Sequence, residues 1–350
     1  GDKLFIDIYG QSENYYQVEV SPEGNVILEN IGPVNLSGLS LLNAKKIIEN
    51  EVNLESVSLD GANYHMKTYK GEEDDNMSIF IASFDDGTLK DSLSNPFILR
   101  ASNVYVNELN FKIINANNKD SINYAVKNIG GNLQNLAIVG PSVAIDIRGL
   151  YFSDLFGLEV TNLTTNFSYS PNAMHFKNTR LQTKKTNIKG NIDFIYKRED
   201  LKQFYDKVFL SGEFKNSTVN LGELNVFFPE FGASENITFD TQISGTLNEL
   251  LLQDFHLESN KSTFIDGNFE FKNLIDAEAK PFQMRGDIAR LASKYTDLKG
   301  ILPRILGQNI PSNLSALGMF TIRGTTLISG PTIDADFEAN TALGTVVADL

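Results

Sequence analysis

Residues 188–194 read Ile-Lys-Gly-Asn-Ile-Asp-Phe. Ile188, Gly190, Ile192 and Phe194 share one parity; Lys189, Asn191 and Asp193 take the other. A period of two is the mark of a strand with one apolar and one wet face. A glycine inside a strand costs backbone entropy and packs nothing, so its place on the apolar side needs a reason. The phrase recurs as Ile147-Arg-Gly149-Leu-Tyr151, Leu210-Ser-Gly212-Glu-Phe214, Ile243-Ser-Gly245-Thr-Leu247, Ile265-Asp-Gly267-Asn-Phe269-Glu-Phe271 and Met284-Arg-Gly286-Asp-Ile288. The weakest copy is Ile322-Arg-Gly324-Thr-Thr326. Successive glycines lie 41, 22, 33, 22, 19 and 38 residues apart. Several spacings fall near the length of two strands with their turns, or twice that.

In each copy the glycine sits with the apolar residues. Losing a side chain there makes room on a concave surface and lets the strand bend or bulge. The opposite parity carries Arg148, Lys189, Asp193, Glu213, Asp266, Glu270, Arg285 and Arg323. The pattern predicts an antiparallel sheet, apolar on one face and solvated on the other. The expected lining of the apolar face is Ile147, Tyr151, Ile188, Ile192, Phe194, Leu210, Phe214, Ile243, Leu247, Ile265, Phe269, Phe271, Phe282, Met284, Ile288, Phe320 and Ile322. On pattern alone a packed β core and an open apolar groove both fit.

The rest of the chain after about residue 53 has the same texture, giving roughly 16 to 20 strands of ordinary length. Helical interruptions are few. Leu201, Phe204, Tyr205 and Val208 have helical spacing; residues 221–231 suggest a turn or two ending before Pro229. Tyr295, Leu298, Ile301, Leu302 and Ile305 form one stripe, which is expected to cover an open edge or mouth of the sheet. Residues 1–52 differ. Leu4, Ile6 and Ile8 alternate, a turn follows at Ser21-Pro22-Glu23-Gly24, and a helix is expected from Ser40 with Leu41, Ala44, Ile47 and Ile48 on one side.

The 350 residues carry a net charge of −14. Residues 1–52 hold three Lys against eight Asp and Glu, or −5, which leaves −9 for the remainder. Such acidity argues against nucleic acid as a partner. The chain has no cysteine, so disulfides, thiolate metal sites and Cys nucleophiles are out. The acidic run Gly71-Glu-Glu-Asp-Asp-Asn76 does not have calcium-loop spacing and is expected to be a solvated loop. His65, His175 and His256 are far apart in sequence and suggest no metal site. No nucleophile elbow or phosphate loop occurs. Asp74-Asp75 and Asp85-Asp86 are adjacent, so in a strand they would face opposite ways, the wrong geometry for an acid–base pair. The expectation is a protein with no catalytic residue, no metal and no cofactor. With Gly1 in first place, we take the chain to be an internal piece of a longer polypeptide.

Two stretches resemble known families. "GDKLFIDIYG", "VEVSPEGNVILENIGPV" and "LSGLSLLNAKKIIE" resemble the periplasmic domain of polysaccharide export proteins over residues 1–52. That resemblance implies a small α/β module associated with an export pore. "LDGANYHMKTYKGEEDDN", "LRASNVYVNELNFKI", the x-G-x strands and "DLKGILPRILGQNIPSNLSALGMFTIRGT" leading into "IDADFEANTALGTVVADL" resemble TamB and AsmA-like envelope proteins of the Bacteroidetes type, over residues 53–350. This second resemblance implies a mainly β, elongated sheet curled into an open apolar groove. It further implies a periplasmic protein with an inner-membrane anchor, carrying phospholipid acyl chains and working with an outer-membrane barrel protein in outer-membrane biogenesis. A scaffold for outer-membrane protein assembly and a polysaccharide export accessory are the competing expectations.

Overall fold

The computed structural model describes residues 3–8, 14–22, 25–28, 32–35, 37–38, 51–83, 97–117, 122–226, 231–232, 235–274, 281–301, 303, 315–316, 318–330 and 332–349. The chain divides into two compact units, Gly1–Leu155 and Phe156–Leu350. It is mainly β, with open, curled sheet and four short α-helices among the described residues.

The first unit opens with two antiparallel hairpins, β1 (Lys3–Ile8) with β2 (Asn14–Glu19) and β3 (Asn25–Leu28) with β4 (Gly32–Asn35). The turn between β2 and β3 is closed by the Ser21 amide donating to the Asn25 carbonyl at 2.8 Å. The helix expected from Ser40 lies outside the described residues. Next, β5 (Glu51–Asp60) and β6 (Asn63–Thr68) both run parallel to one long strand, β7 (Ile98–Asn115). They follow one another along it, and Gly61 at φ +61° makes the step between them. The ladder continues across that step, because the Gly61 amide donates to Asn107 and the Asn110 amide to Ala62. This parallel pairing departs from the all-antiparallel expectation. It needs a long connection, and the helix Asn76–Ser83 lies within it. That helix starts in the run read as a loop. The Asp75 carboxylate accepts from both the amide and the hydroxyl of Ser78 at 2.8 Å, an N-cap arrangement. Antiparallel β8 (Ile122–Val139) and β9 (Ser142–Asp154) complete the sheet of this unit. Ala101, Val104 and Val106 form its core, under Leu54, Val57, Leu133 and Leu136.

The second unit is an antiparallel meander of β10 (Glu159–Ser170), β11 (Ala173–Gln182), β12 (Asn187–Ile195), β13 (Phe209–Asn220), β14 (Asn236–Gly245), β15 (Glu249–Ser259), β16 (Phe264–Lys272), β17 (Gln283–Lys294), β18 (Met319–Ser329), β19 (Thr332–Thr341) and β20 (Gly344–Asp349). Each strand pairs with the next, and β20 does not return to β10. The alternation read from sequence fixes which residues share a face. At one end of the strands sit the one-turn helix Leu221–Leu224 and the helix Tyr295–Ile301. At the other end a 3-10 turn, Arg198–Gln203, runs into the helix Phe204–Lys207. The single amphipathic helix expected there is thus broken in two.

Candidate functional site

The apolar face of the second unit is built from cross-strand rows. One runs Phe194, Leu210, Gly245, Leu250, Phe271, Met284, Ile328 from β12 to β18. The next runs Ile192, Gly212, Ile243, Leu252, Phe269, Gly286, Thr326. A third runs Phe255, Gly267, Ile288, Gly324, Phe337. Each glycine therefore has a bulky residue directly across from it on at least one side, and in the third row large and absent side chains alternate. Ring contacts link Phe residues in and beside these rows: Phe167 to Phe176 at 4.9 Å between centroids, Phe176 to Phe194 at 5.9 Å, Phe255 to Phe269 at 5.4 Å and Phe271 to Phe282 at 6.3 Å.

What a side chain at these glycines would strike is mainly the neighbouring backbone. A Cβ at Gly190 would run into the carbonyl oxygen of Glu213, at Gly245 into that of Glu249, at Gly267 into that of Asp287 and at Gly324 into that of Asp336. At Gly212 the Asn191 carbonyl oxygen would stand 2.8 Å away. Gly286 differs, since the nearest atoms belong to the side chains of Phe269 and Thr326, both at 3.1 Å. Gly149, Gly245 and Gly324 also hold positive φ of 101°, 114° and 145°, which disfavours any residue with a Cβ.

The lining is mostly half-buried. Ile188, Ile192, Phe194, Phe214, Ile243, Ile265, Phe271, Phe282, Met284, Ile288 and Ile322 are neither sealed nor fully exposed, while Leu210, Phe269 and Phe320 are buried. Leu247 lies in the turn after β14 rather than in a strand. Ile147 and Tyr151 belong to β9 of the first unit, where the Tyr151 ring covers Gly130. Pattern alone could not separate core from groove, and this mixture shows why: part of the face is sealed and part is not.

The strand ends wall this floor. Phe204 packs its ring on Phe194 at 5.9 Å. The segment is tied down through Asn248, whose amide donates to the Tyr205 carbonyl and whose Nδ2 donates to Asp206 Oδ1 at 2.9 Å. At the opposite end Leu221 and Ile301 join Val219, Ile237 and Leu257 in a buried cluster against Ile188, Phe239, Phe255 and Ile265. The stripe read from sequence does cover the sheet there through Leu298 and Ile301; Leu302 and Ile305 lie outside the described residues.

The other face is polar, and strand pairing assembles groups the sequence keeps apart. His175 Nδ1 meets Asp193 Oδ1 at 2.7 Å, and Lys177 Nζ meets Asp193 Oδ2 at 2.8 Å. His256 Nδ1 meets Asp266 Oδ1 at 2.7 Å. Register supplies these pairs: His175 stands opposite Asp193, and His256 opposite Asp266. Partial burial pushes the Asp193 carboxyl up, but the hydrogen bonds and charges of Lys177 and His175 outweigh it and hold the group below its ordinary value. Among the described residues no three His, Asp or Glu side chains are placed to hold a metal ion.

Also missed by sequence reading is a repeated bulge. Asn178, Asn216 and Asp254 have φ near +50°. Their amides donate to the side chains of Asn191, Asp240 and Asn268 on the next strand. The signal was in the sequence as Asn and Asp inside strands, the residues that tolerate left-handed backbone.

No helix among the described residues is long and apolar enough to cross a membrane. No curated protein and no solved structure matches the chain significantly. Residues 1–60 match the family model described as polysaccharide biosynthesis/export protein.

Proposed function

We propose that this is a non-enzymatic protein of the cell envelope whose apolar sheet face carries phospholipid acyl chains between inner and outer membrane, in the manner of the TamB and AsmA-like proteins it resembles. The observation that carries the reading is the half-buried floor of β12–β18, with glycines where neighbouring backbone comes close and packed segments at both strand ends. Each methylene buried on such a floor contributes about 0.8 kcal/mol. A continuous lining keeps that value similar from one position to the next, so a chain can advance without a deep trap. Head groups would stay in water above the walls. In this reading an inner-membrane anchor and an outer-membrane barrel protein are the partners. A second reading, an accessory to polysaccharide export, is favoured by the match at residues 1–60.

Native mass spectrometry of the purified chain separates the two, with phospholipid expected for the first and glycan for the second. Ile192→Asp and Ile288→Asp then test the floor. Both positions are half-buried, so a new carboxylate stays hydrated and the protein should fold while losing bound lipid. Phe269 is a poorer probe, being buried against Gly286. Unfolded Ile192→Asp and Ile288→Asp proteins, with no lipid captured by a photo-crosslinker at Ile243, would mean an ordinary packed core.

A further inference from the structure

The helix Tyr295–Ile301 is carried on the end of β17, and its inner side chains Leu298 and Ile301 are buried. Ile301 closes the cluster of Val219, Leu221, Ile237 and Leu257 at that end of the floor. The seat beneath it is cut down to backbone. The Gly232 amide donates to the Ile301 carbonyl at 2.9 Å, and a Cβ at Gly232 would run into the Gly300 carbonyl oxygen. A Cβ at Gly300 would run into Glu235 Oε1.

Glu235 is 0% exposed. Its carbonyl accepts the Leu221 amide at 2.8 Å, which ties in the other helix at this end. Its Oε1 accepts from Lys261 Nζ at 2.7 Å, and its Oε2 has no hydrogen-bond partner among the described residues. The Lys261 side chain is 45% exposed, so the pair spans from the buried seat to solvent. The Ser262 hydroxyl, beside it, donates to Asp297 Oδ2 on the helix. A buried carboxylate with one oxygen unmet works against burial, whereas Leu298 and Ile301 work for it. The ladders of β17 with β16 and β18 are made independently of the helix. The strand pairing of the sheet therefore does not depend on the helix.

We infer that the helix Tyr295–Ile301 is a strap that closes one end of the apolar floor, seated over the buried Glu235–Lys261 pair, and that lifting it admits an acyl chain at that end. The last clause rests on the function proposed above; the strap itself does not. Removing the ammonium leaves a bare buried carboxylate and favours the lifted state. Removing both charges favours the closed one.

The chain has no cysteine, so a Ser262→Cys/Asp297→Cys staple would be its only disulfide. Hydrogen exchange of the full chain is followed for wild type, Lys261→Met and Glu235→Leu/Lys261→Met. Lys261→Met should speed exchange at residues 295–301 by at least about tenfold, because the charge left behind is unpaired, with β15 and β16 unchanged. The double substitution should slow it to or below wild type. A fluorescent fatty acid should bind less to the oxidised staple than to the reduced one. Unchanged exchange at 295–301 in Lys261→Met, or equal acceleration in β15 and β16, overturns the strap. Equal binding to both redox forms overturns its gating role. Should neither wild type nor the reduced staple bind the fatty acid, the lipid reading fails, and exchange alone decides the strap.

Discussion

At Gly190, Gly212, Gly245, Gly267 and Gly324 the backbone of a neighbouring strand comes too close for a side chain. The obstacle at Gly267 is the Asp287 carbonyl oxygen, which is part of a ladder and cannot step aside. The obstacles at Gly286 are two side chains at 3.1 Å, which can turn. Gly267→Ala should therefore lower stability by about 1–3 kcal/mol, while Gly286→Ala should stay within about 1 kcal/mol of wild type; urea titrations of the two will show the order. Equal losses would mean that concave space, not backbone approach, is what the glycine supplies. On the polar face the Asp193 carboxyl sits below its ordinary pKa in the folded chain. A depressed carboxyl stabilises the fold above its unfolded pKa, near 4, and that contribution is lost as pH falls through the folded value. Asp193→Asn should be less stable than wild type at neutral pH, and melts at descending pH should show the gap narrowing below about pH 4.

A strand here is defined as much by where its pairing slips as by where it holds. The register shifts of β11, β13 and β15 fall at Phe176/Thr179, Phe214/Ser217 and Leu252/Phe255, around Asn178, Asn216 and Asp254. Because Asn216 is left-handed, Asn216→Gly should be neutral or stabilising, whereas Asn216→Val should cost about 1–2 kcal/mol. Denaturant midpoints of the pair provide the check. Much of the element level was legible beforehand. Parity gave the two faces, and the stripe from Tyr295 to Ile305 gave a cover for the sheet, made by Leu298 and Ile301 among the described residues. The slips were not legible, because period-two counting treats an inserted residue as noise. Neither were the His–Asp pairs, since register between strands tens of residues apart is set by turns and bulges together. The helix Asn76–Ser83 was hidden in an acidic run whose Asp75 is a cap. Parallel pairing of β5 and β6 with β7 leaves no mark in either strand, as each would alternate the same way in an antiparallel sheet.

In the molecule as a whole, each strand of the second unit touches its sequence neighbours and little else, so stability is laid out along the chain. Ser217, Leu221 and Thr263 are sealed at 1% exposure or less, whereas Val346 and Val347 in β20 are 50% and 76% exposed. Amide exchange should be slowest across β13–β16 and fastest in β20; uniform protection from β10 to β20 would show one all-or-none block instead. The slips have a further consequence. Asn216 follows Asn178 by 38 residues (216 − 178), and Asp254 follows Asn216 by 38 (254 − 216). Over this stretch the repeating piece is thus a strand bearing the slip plus a straight partner that caps it. Duplicating or deleting one such piece leaves chain direction, the phase of the slips and the sidedness of every later residue as they were. An odd strand gained or lost reverses the direction of all that follow. A lineage of such sheets can therefore change its reach in steps of two strands, a ruler graduated in hairpins.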